Sequence, residues 1–351
     1  MSLREVIAQM RQTMASLGGE AAVLLQRLAA RAIRGELRRL AGAGSRVWTP
    51  AAARAVVDRL RRMLVRLVAQ LGAALGKALT SAAATSLADA ALFFETGDRA
   101  LLGHVLPLRP VAPTPAQIGL AREGVFKASL GRFGALLVHA VEGAAVATVL
   151  LGKPHRAGVD HVALALRRTA AAHAWELQRI AETEASAAYN AAQLEVLLAQ
   201  DVPGDRMMKR LVATFDSRTG RDSVLLHGQV RPVREPFFDS HRGHFYMAPP
   251  NRPNDRELMV GHRPAWGEVV VDRWPVAEDR RAAPAPAATR RVPGQAIRSA
   301  KNLRAGDVLA APGRPRIASV AERGGRIEVR TEQGLLLYFA AGAAIGVLAA
   351  S

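Results

Sequence analysis

The chain has 351 residues, half of them hydrophobic but only 5% aromatic, which excludes a disordered chain and allows two or three domains with at least one sizeable core. It has no cysteine, which excludes disulfides, thiolate nucleophiles and Cys-based zinc or iron–sulfur sites. Its formal charge of +18 favours a polyanionic partner, because each neutralised phosphate releases condensed counterions.

The opening residues, MSLREVIAQMRQTM, carry neither a continuous apolar run nor a small-residue cleavage site, so a secretory signal is not expected. Residues 1–95 read as helix. Leu24, Leu25, Leu28, Ile33, Leu37 and Leu40 recur at helical steps with Arg27, Arg31, Arg34 and Arg38 between them, which predicts an amphipathic helix with a basic stripe. Gly42–Ala43–Gly44 breaks it, and Thr49 as N-cap with Pro50 at the first helical position opens the next. Residues 1–70 hold 13 Arg and no Lys against 4 acidic residues, so half of the chain's +18 lies in a fifth of its length. The candidate phosphate-tracking residues are Arg27, Arg31, Arg34, Arg38, Arg39, Arg59, Arg61, Arg62 and Arg66. A solvated face and a membrane-surface face are the alternatives for this stripe.

Leu106–Thr114 holds three prolines and reads as a crossover. Helical pattern resumes at Pro115 and runs to about Ala199 with a break at Gly152–Gly158, the last helix starting near Val159. Phe133–Gly152 is mostly apolar but carries His139 and Glu142 near its middle, so a buried helix is expected rather than a stable membrane span. At Asp201 the character changes, and residues 201–274 read as short strands with long ordered loops. Pro275–Gly294 is a Pro/Ala/Arg linker. Short β-rich runs then flank Gly324–Gly325 and Gln333–Gly334, with Leu335–Ala350 as a terminal strand plus tail.

The expected fold class is therefore α+β multidomain. It has a helical Ala/Arg-rich N-terminal half, a compact loop-rich α+β central domain and a small SH3-like β-barrel at the C-terminus. The boundaries fall at residues 1–105, 106–158, 159–274, 275–294 and 295–351.

The most specific chemistry lies in Lys209–Glu268. Asp216, Ser217, Arg218 and Thr219 form a polar turn after an apolar run, and Asp at a turn start bonds its own backbone. His227–Gly228 follows, then His241, His244 and His262 with Asp239, Asp255 and Glu257 nearby. Imidazole and carboxylate together suit zinc or manganese, which makes His227, His241, His244 and His262 weak metal candidates. Their spacing matches no zinc motif, and hydrogen-bonded networking of a loop-rich domain is the favoured reading. No cofactor is expected. Ser223 and His227 are a nucleophile and a base by type, but no nucleophile elbow, phosphate loop or dinucleotide fingerprint accompanies them.

These residues also carry a resemblance. Glu182-Thr183-Glu184, Tyr189-Asn190, Asp216-Ser217-Arg218-Thr219, Ser223, His227-Gly228-Gln229-Val230, Glu235-Pro236-Phe237 and Pro249-Pro250-Asn251-Arg252-Pro253-Asn254 are ordered as in the phage head morphogenesis domain. The chain resembles the family of the phage Mu F protein and related minor head proteins over about residues 165–270. Two departures stand out. The family's Cys-Arg-Cys corresponds to Asp255, Arg256 and Glu257, and the first Arg of its Arg-Thr-Glu corresponds to Glu182.

The resemblance implies a non-enzymatic minor virion protein in the capsid interior or at the portal vertex, and in the host cytoplasm during assembly. It implies portal and other head proteins as partners, several copies per particle, and contact with packaged double-stranded DNA. The basic stripe fits this with sequence-independent, salt-dependent binding. Two alternatives are a metal-dependent nuclease or toxin-like enzyme on the same domain, and a membrane-active ejection protein.

Overall fold

The computed structural model describes residues 2–41, 48–201, 207–213, 223, 226–239, 243–250, 257–266, 295–299, 302–305, 307–309, 316–323, 326–332, 336–340 and 344–348. The fold is α+β: mostly helical, with small antiparallel sheets. Six helices come first, α1 Leu3–Ala41, α2 Pro50–Leu102, α3 Pro115–Ala121, α4 Glu123–Leu150, α5 His155–Ala172 and α6 Ala174–Gln200.

The starts follow cap chemistry. Thr49 is extended and its hydroxyl accepts from the Ala52 amide at 3.1 Å, with Pro50 in the first turn. Thr114 and Gln117 form a reciprocal capping box ahead of α3. α2 stops at Gly103, whose φ of +78° is the left-handed conformation glycine reaches without a Cβ penalty.

Two expectations for the helices are corrected. The helix expected from Val159 to Gln200 is two helices that meet at His173, where φ is −104° and ψ is 11°. His173 N–H still bonds the Thr169 carbonyl at 3.0 Å, but the next turn closes from Glu176 N–H to the His173 carbonyl, and the ladder restarts. The other concerns α4, which is covered on one side only. Phe126, Leu130, Phe133, Leu137 and Val141 are buried, whereas Val125, Leu136, Val146 and Leu150 face outward.

Two apolar clusters hold the helical body. The first draws Leu25, Ile33 and Leu37 of α1 together with Leu60, Leu67 and Leu71 of α2, Phe133 of α4, Val162 of α5 and Ile180 of α6. Full burial of each Leu or Ile is worth roughly 1.5–3 kcal/mol. Trp48 joins it through Gly158, where any Cβ would overlap the indole. The second cluster joins Val6, Ile7 and Met10 of α1, Phe93 and Phe94 of α2, Val196 and Leu197 of α6, and the first sheet.

That sheet has the order β2-β1-β5, from β1 Met208–Ala213, β2 Val230–Pro232 and β5 Glu257–His262. β1 and β5 run antiparallel with Met208 opposite His262 and Ala213 opposite Glu257. β5 is buried throughout, and Gly261 lies so close to Leu197 that a side chain there would overlap it. A second pair, β3 Phe237–Asp239 and β4 His244–Tyr246, stacks Phe238 on Phe245 at 4.7 Å.

The C-terminal strands are β6 Gln295–Ser299, β7 Val308–Leu309, β8 Ile317–Arg323, β9 Arg326–Thr331, β10 Leu336–Ala340 and β11 Ala344–Leu348. They make two antiparallel sheets, β10-β9-β8 and β6-β11-β7. Arg323 faces Arg326 across the expected hairpin. The stretch expected to be one strand plus tail contains two strands, β10 and β11. The linker 275–294 lies outside the described residues.

Candidate nucleic-acid interface and the motif residues

Arg27, Arg31, Arg34 and Arg38 are spaced by four, three and four residues, which keeps them on one stripe of α1. All four are exposed, opposite the buried Leu25, Ala29, Ile33 and Leu37. Arg62 and Arg66 are exposed on α2. Among the described residues Arg27, Arg31, Arg38, Arg62 and Arg66 make no hydrogen bond or ion pair, and Arg34 bonds only its own helix, at the Ala30 carbonyl, 3.2 Å.

The other three candidates are committed to carboxylates. Glu36 is buried and takes both Arg59 and Arg39, the latter at 3.2 Å. Burial pushes the Glu36 carboxyl up, but the two guanidinium groups outweigh it and hold it below the usual range. Arg61 joins Glu142 of α4 and lies 3.6 Å from Asp58. The nine arginines therefore divide into six without a carboxylate partner and three paired with one, of which Arg59 and Arg61 join two helices and Arg39 stays within α1.

The motif residues on α6 are internal. Tyr189 is fully buried, and its hydroxyl donates to Asp89 of α2 while Ser86 Oγ donates to its carbonyl at 2.6 Å. Burial, then Asp89, raises the Tyr189 phenol well above its ordinary value, and burial raises the Asp89 carboxyl despite the bond it accepts. Asn190 Nδ2 donates to the Glu257 carbonyl at 2.9 Å, and its Oδ1 accepts from the Met259 amide at 2.8 Å. Glu184 is buried beside Arg122 at 3.0 Å; burial raises its carboxyl and Arg122 opposes the rise. Glu182 accepts from Gln178 at 2.8 Å, and Gly18 of α1 approaches so closely that a Cβ there would sit 3.1 Å from the Glu182 Cα. Thr183 is half-buried on the same helix.

His227 Nδ1 accepts the Ala213 amide at 3.0 Å, which leaves the proton of a neutral ring on Nε2. Gly228 has a φ of +81° and donates to the Leu211 carbonyl at 2.8 Å, so this turn is stitched onto β1. Pro249 is buried and its bond to Pro250 is cis. Asp216, Arg218, Thr219, His241, Asn254 and Asp255 lie outside the described residues, as does the side chain of His244. His262 is buried with its ring edge-on to Trp266, centroids 5.8 Å apart. Among the described residues no group of three His, Asp or Glu side chains is placed to hold a metal ion.

Two features had no local signal. Asp98 of α2 is fully buried and accepts Trp266 Nε1 at 2.8 Å, while Arg263 Nε lies 3.2 Å from it and the Leu106 amide donates to it at 3.0 Å. Gly97 next to it leaves the space that the Trp266 ring fills. Lys209 is buried, with its ammonium 4.9 Å from the Phe237 ring and donating to the Met247 carbonyl at 2.8 Å. Burial pulls its pKa down to about 8.

Comparison with protein-family models, curated proteins and solved structures found no match to the chain.

Proposed function

We propose that the chain is a minor head protein of a tailed phage that joins the portal vertex during capsid assembly and contacts packaged DNA without sequence preference. The reading rests on the ordered run of motif elements between Glu182 and Asn254. It is supported by two of those elements, Asn190 and His227-Gly228, bonding adjacent strands of one sheet, β5 and β1, as residues of a structural motif would. The six solvent-facing arginines support the DNA contact, since unpaired guanidinium groups are free to displace counterions. Portal and head proteins are the expected partners, and the particle is the expected location.

In the same reading the chain is multidomain, with residues 295–351 a small SH3-like barrel that serves as a binding module. Two three-stranded antiparallel sheets in so few residues favour it.

The test is quantitative mass spectrometry of DNA-filled particles and of the shells left after ejection. Presence in full particles is expected. Retention in shells makes the chain a portal-vertex component, loss makes it a DNA-accompanying one, and absence from both ends the reading.

One observation favours a second reading, in which the chain engages a membrane when DNA is delivered. Helices α2 and α4 are long and apolar enough to cross a bilayer, and α4 turns Val125, Leu136, Val146 and Leu150 outward. Vesicle binding that survives high salt would support it, and binding that vanishes with salt would leave electrostatics alone.

A further inference from the structure

Trp175, the second residue of α6, is 56% exposed. Trp48 and Trp266 are both buried and both fill space left by a glycine, so Trp175 is the one surface indole among the described residues. The guanidinium of Arg179, one turn on, lies over its ring at 5.6 Å. Arg179 makes no hydrogen bond or ion pair among the described residues, and its Nε is shielded from solvent without a partner. The ring, and no carboxylate, holds this cation. The carboxylates on the same turns are engaged elsewhere, Glu176 with His173 at 3.1 Å and Glu182 with Gln178 at 2.8 Å.

The position of this pair matters as much as its chemistry. Gln26 Nε2 donates to the Ala174 carbonyl at 3.2 Å, which pins the start of α6 beside the turn of α1 where the arginine row begins with Arg27. An exposed flat ring carrying an uncompensated cation, next to a row of unpaired arginines, matches what a single strand needs. Cations follow its phosphates, and an unpaired base stacks on the ring. A duplex gains nothing from the ring, because its bases are already stacked and it presents phosphates.

We propose that Trp175, backed by Arg179, is a stacking platform for an unpaired nucleobase, so that this face takes single-stranded or frayed DNA as well as duplex. The proposal rests on the nucleic-acid reading given above, and it names the form of DNA that reading leaves open.

The test uses the intact chain and its Trp175→Ala and Trp175→Phe variants, with an oligothymidylate and a duplex of equal length at one low salt concentration. Trp175→Ala should weaken oligothymidylate binding by at least roughly fivefold, with Trp175→Phe recovering most of it and duplex affinity unchanged. An unchanged oligothymidylate affinity, or an equal loss for both nucleic acids, overturns the platform while leaving the arginine row intact. Failure of the unsubstituted chain to bind either form removes the underlying reading as well. If Trp175→Ala instead lowers only the binding of anionic vesicles, the ring belongs to a lipid contact and the proposal falls. Thermal unfolding of both variants should match the unsubstituted chain, because the ring is on the surface.

Discussion

The side-chain amide of Asn190 on α6 bonds the backbone of β5 as a neighbouring strand would, donating to the Glu257 carbonyl and accepting from the Met259 amide. Gln200 does the same to both backbone groups of Arg109, at 2.9 and 3.1 Å, and Gln229 to both of Phe238, at 2.8 and 3.0 Å. Only Asn and Gln offer a donor and an acceptor side by side in this geometry. Asn190→Leu strands two buried backbone groups and should cost about 3 kcal/mol, read as a lowered urea midpoint. Asn190→Asp keeps the acceptor but loses the donor and buries a charge, so it should fare no better. A midpoint that does not move for either variant would show that α6 is held to the sheet by packing alone.

A second prediction concerns the seat of Trp266. Gly97→Ala places a methyl group where the indole lies and should destabilise by about 1–3 kcal/mol. Asp98→Asn also weakens the buried pairing with Arg263, and it should lower the melting temperature even though it is nearly isosteric. If Gly97→Ala melts like the parent chain, the ring has room to move and the close fit is not what fixes it.

Lys209 gives the pH dependence. Its folded value of about 8 lies below its ordinary 10.5, so between those limits the unfolded chain binds the extra proton. Stability contributed by this group therefore rises with pH through that window, by up to roughly 1.4 kcal/mol per unit. Below pH 8 the cost of burying the ammonium is fully present. Comparing the parent chain with Lys209→Met isolates the effect from other titrating groups. The difference between their unfolding free energies should shift steadily in favour of the parent from pH 8 to 10, and a flat difference would contradict the buried placement.

The arginine set predicts a split between binding and stability. Replacing Arg27, Arg31 and Arg38 together by Gln should leave the melting temperature unchanged. The same change should lower the slope of log affinity against log salt for duplex DNA by up to about 0.9 per lost phosphate contact. Arg59→Gln should do the reverse, because it weakens the pairing of the buried Glu36 while removing a side chain already engaged. Equal effects of the two substitutions on salt slope would mean that the exposed row has no special role.

Much of the helical frame is legible in the sequence because its signals are local. Thr49–Pro50 and Thr114–Pro115 announce helix starts through cap chemistry confined to four residues. The break at His173 has no glycine or proline to mark it, and it becomes visible only when the hydrogen-bond ladder is followed. Hydrophobicity likewise identifies α4 as a long apolar helix but not which side is covered, since that depends on α2 and α5. The motif on α6 can be read from the sequence as Tyr189-Asn190, yet the partner of Asn190 lies 67 residues away. The pairing of Asp98 with Trp266 spans 168 residues and leaves no trace in spacing, apart from a glycine beside the Asp. The arginine stripe is legible from its period, and so is the i,i+3 pairing of Arg39 with Glu36, whereas the withdrawal of Arg59 to Glu36 is a tertiary fact.

Helix α1 takes part in both apolar clusters, with Val6 to Met14 in one and Ala21 to Leu40 in the other. Its 39 residues make a rod of about 58 Å that is anchored at both ends. One rod thus couples the two cores, so that loosening either end of it should loosen the other. Under load the body should give way as one unit, at a single force, rather than peel open in stages.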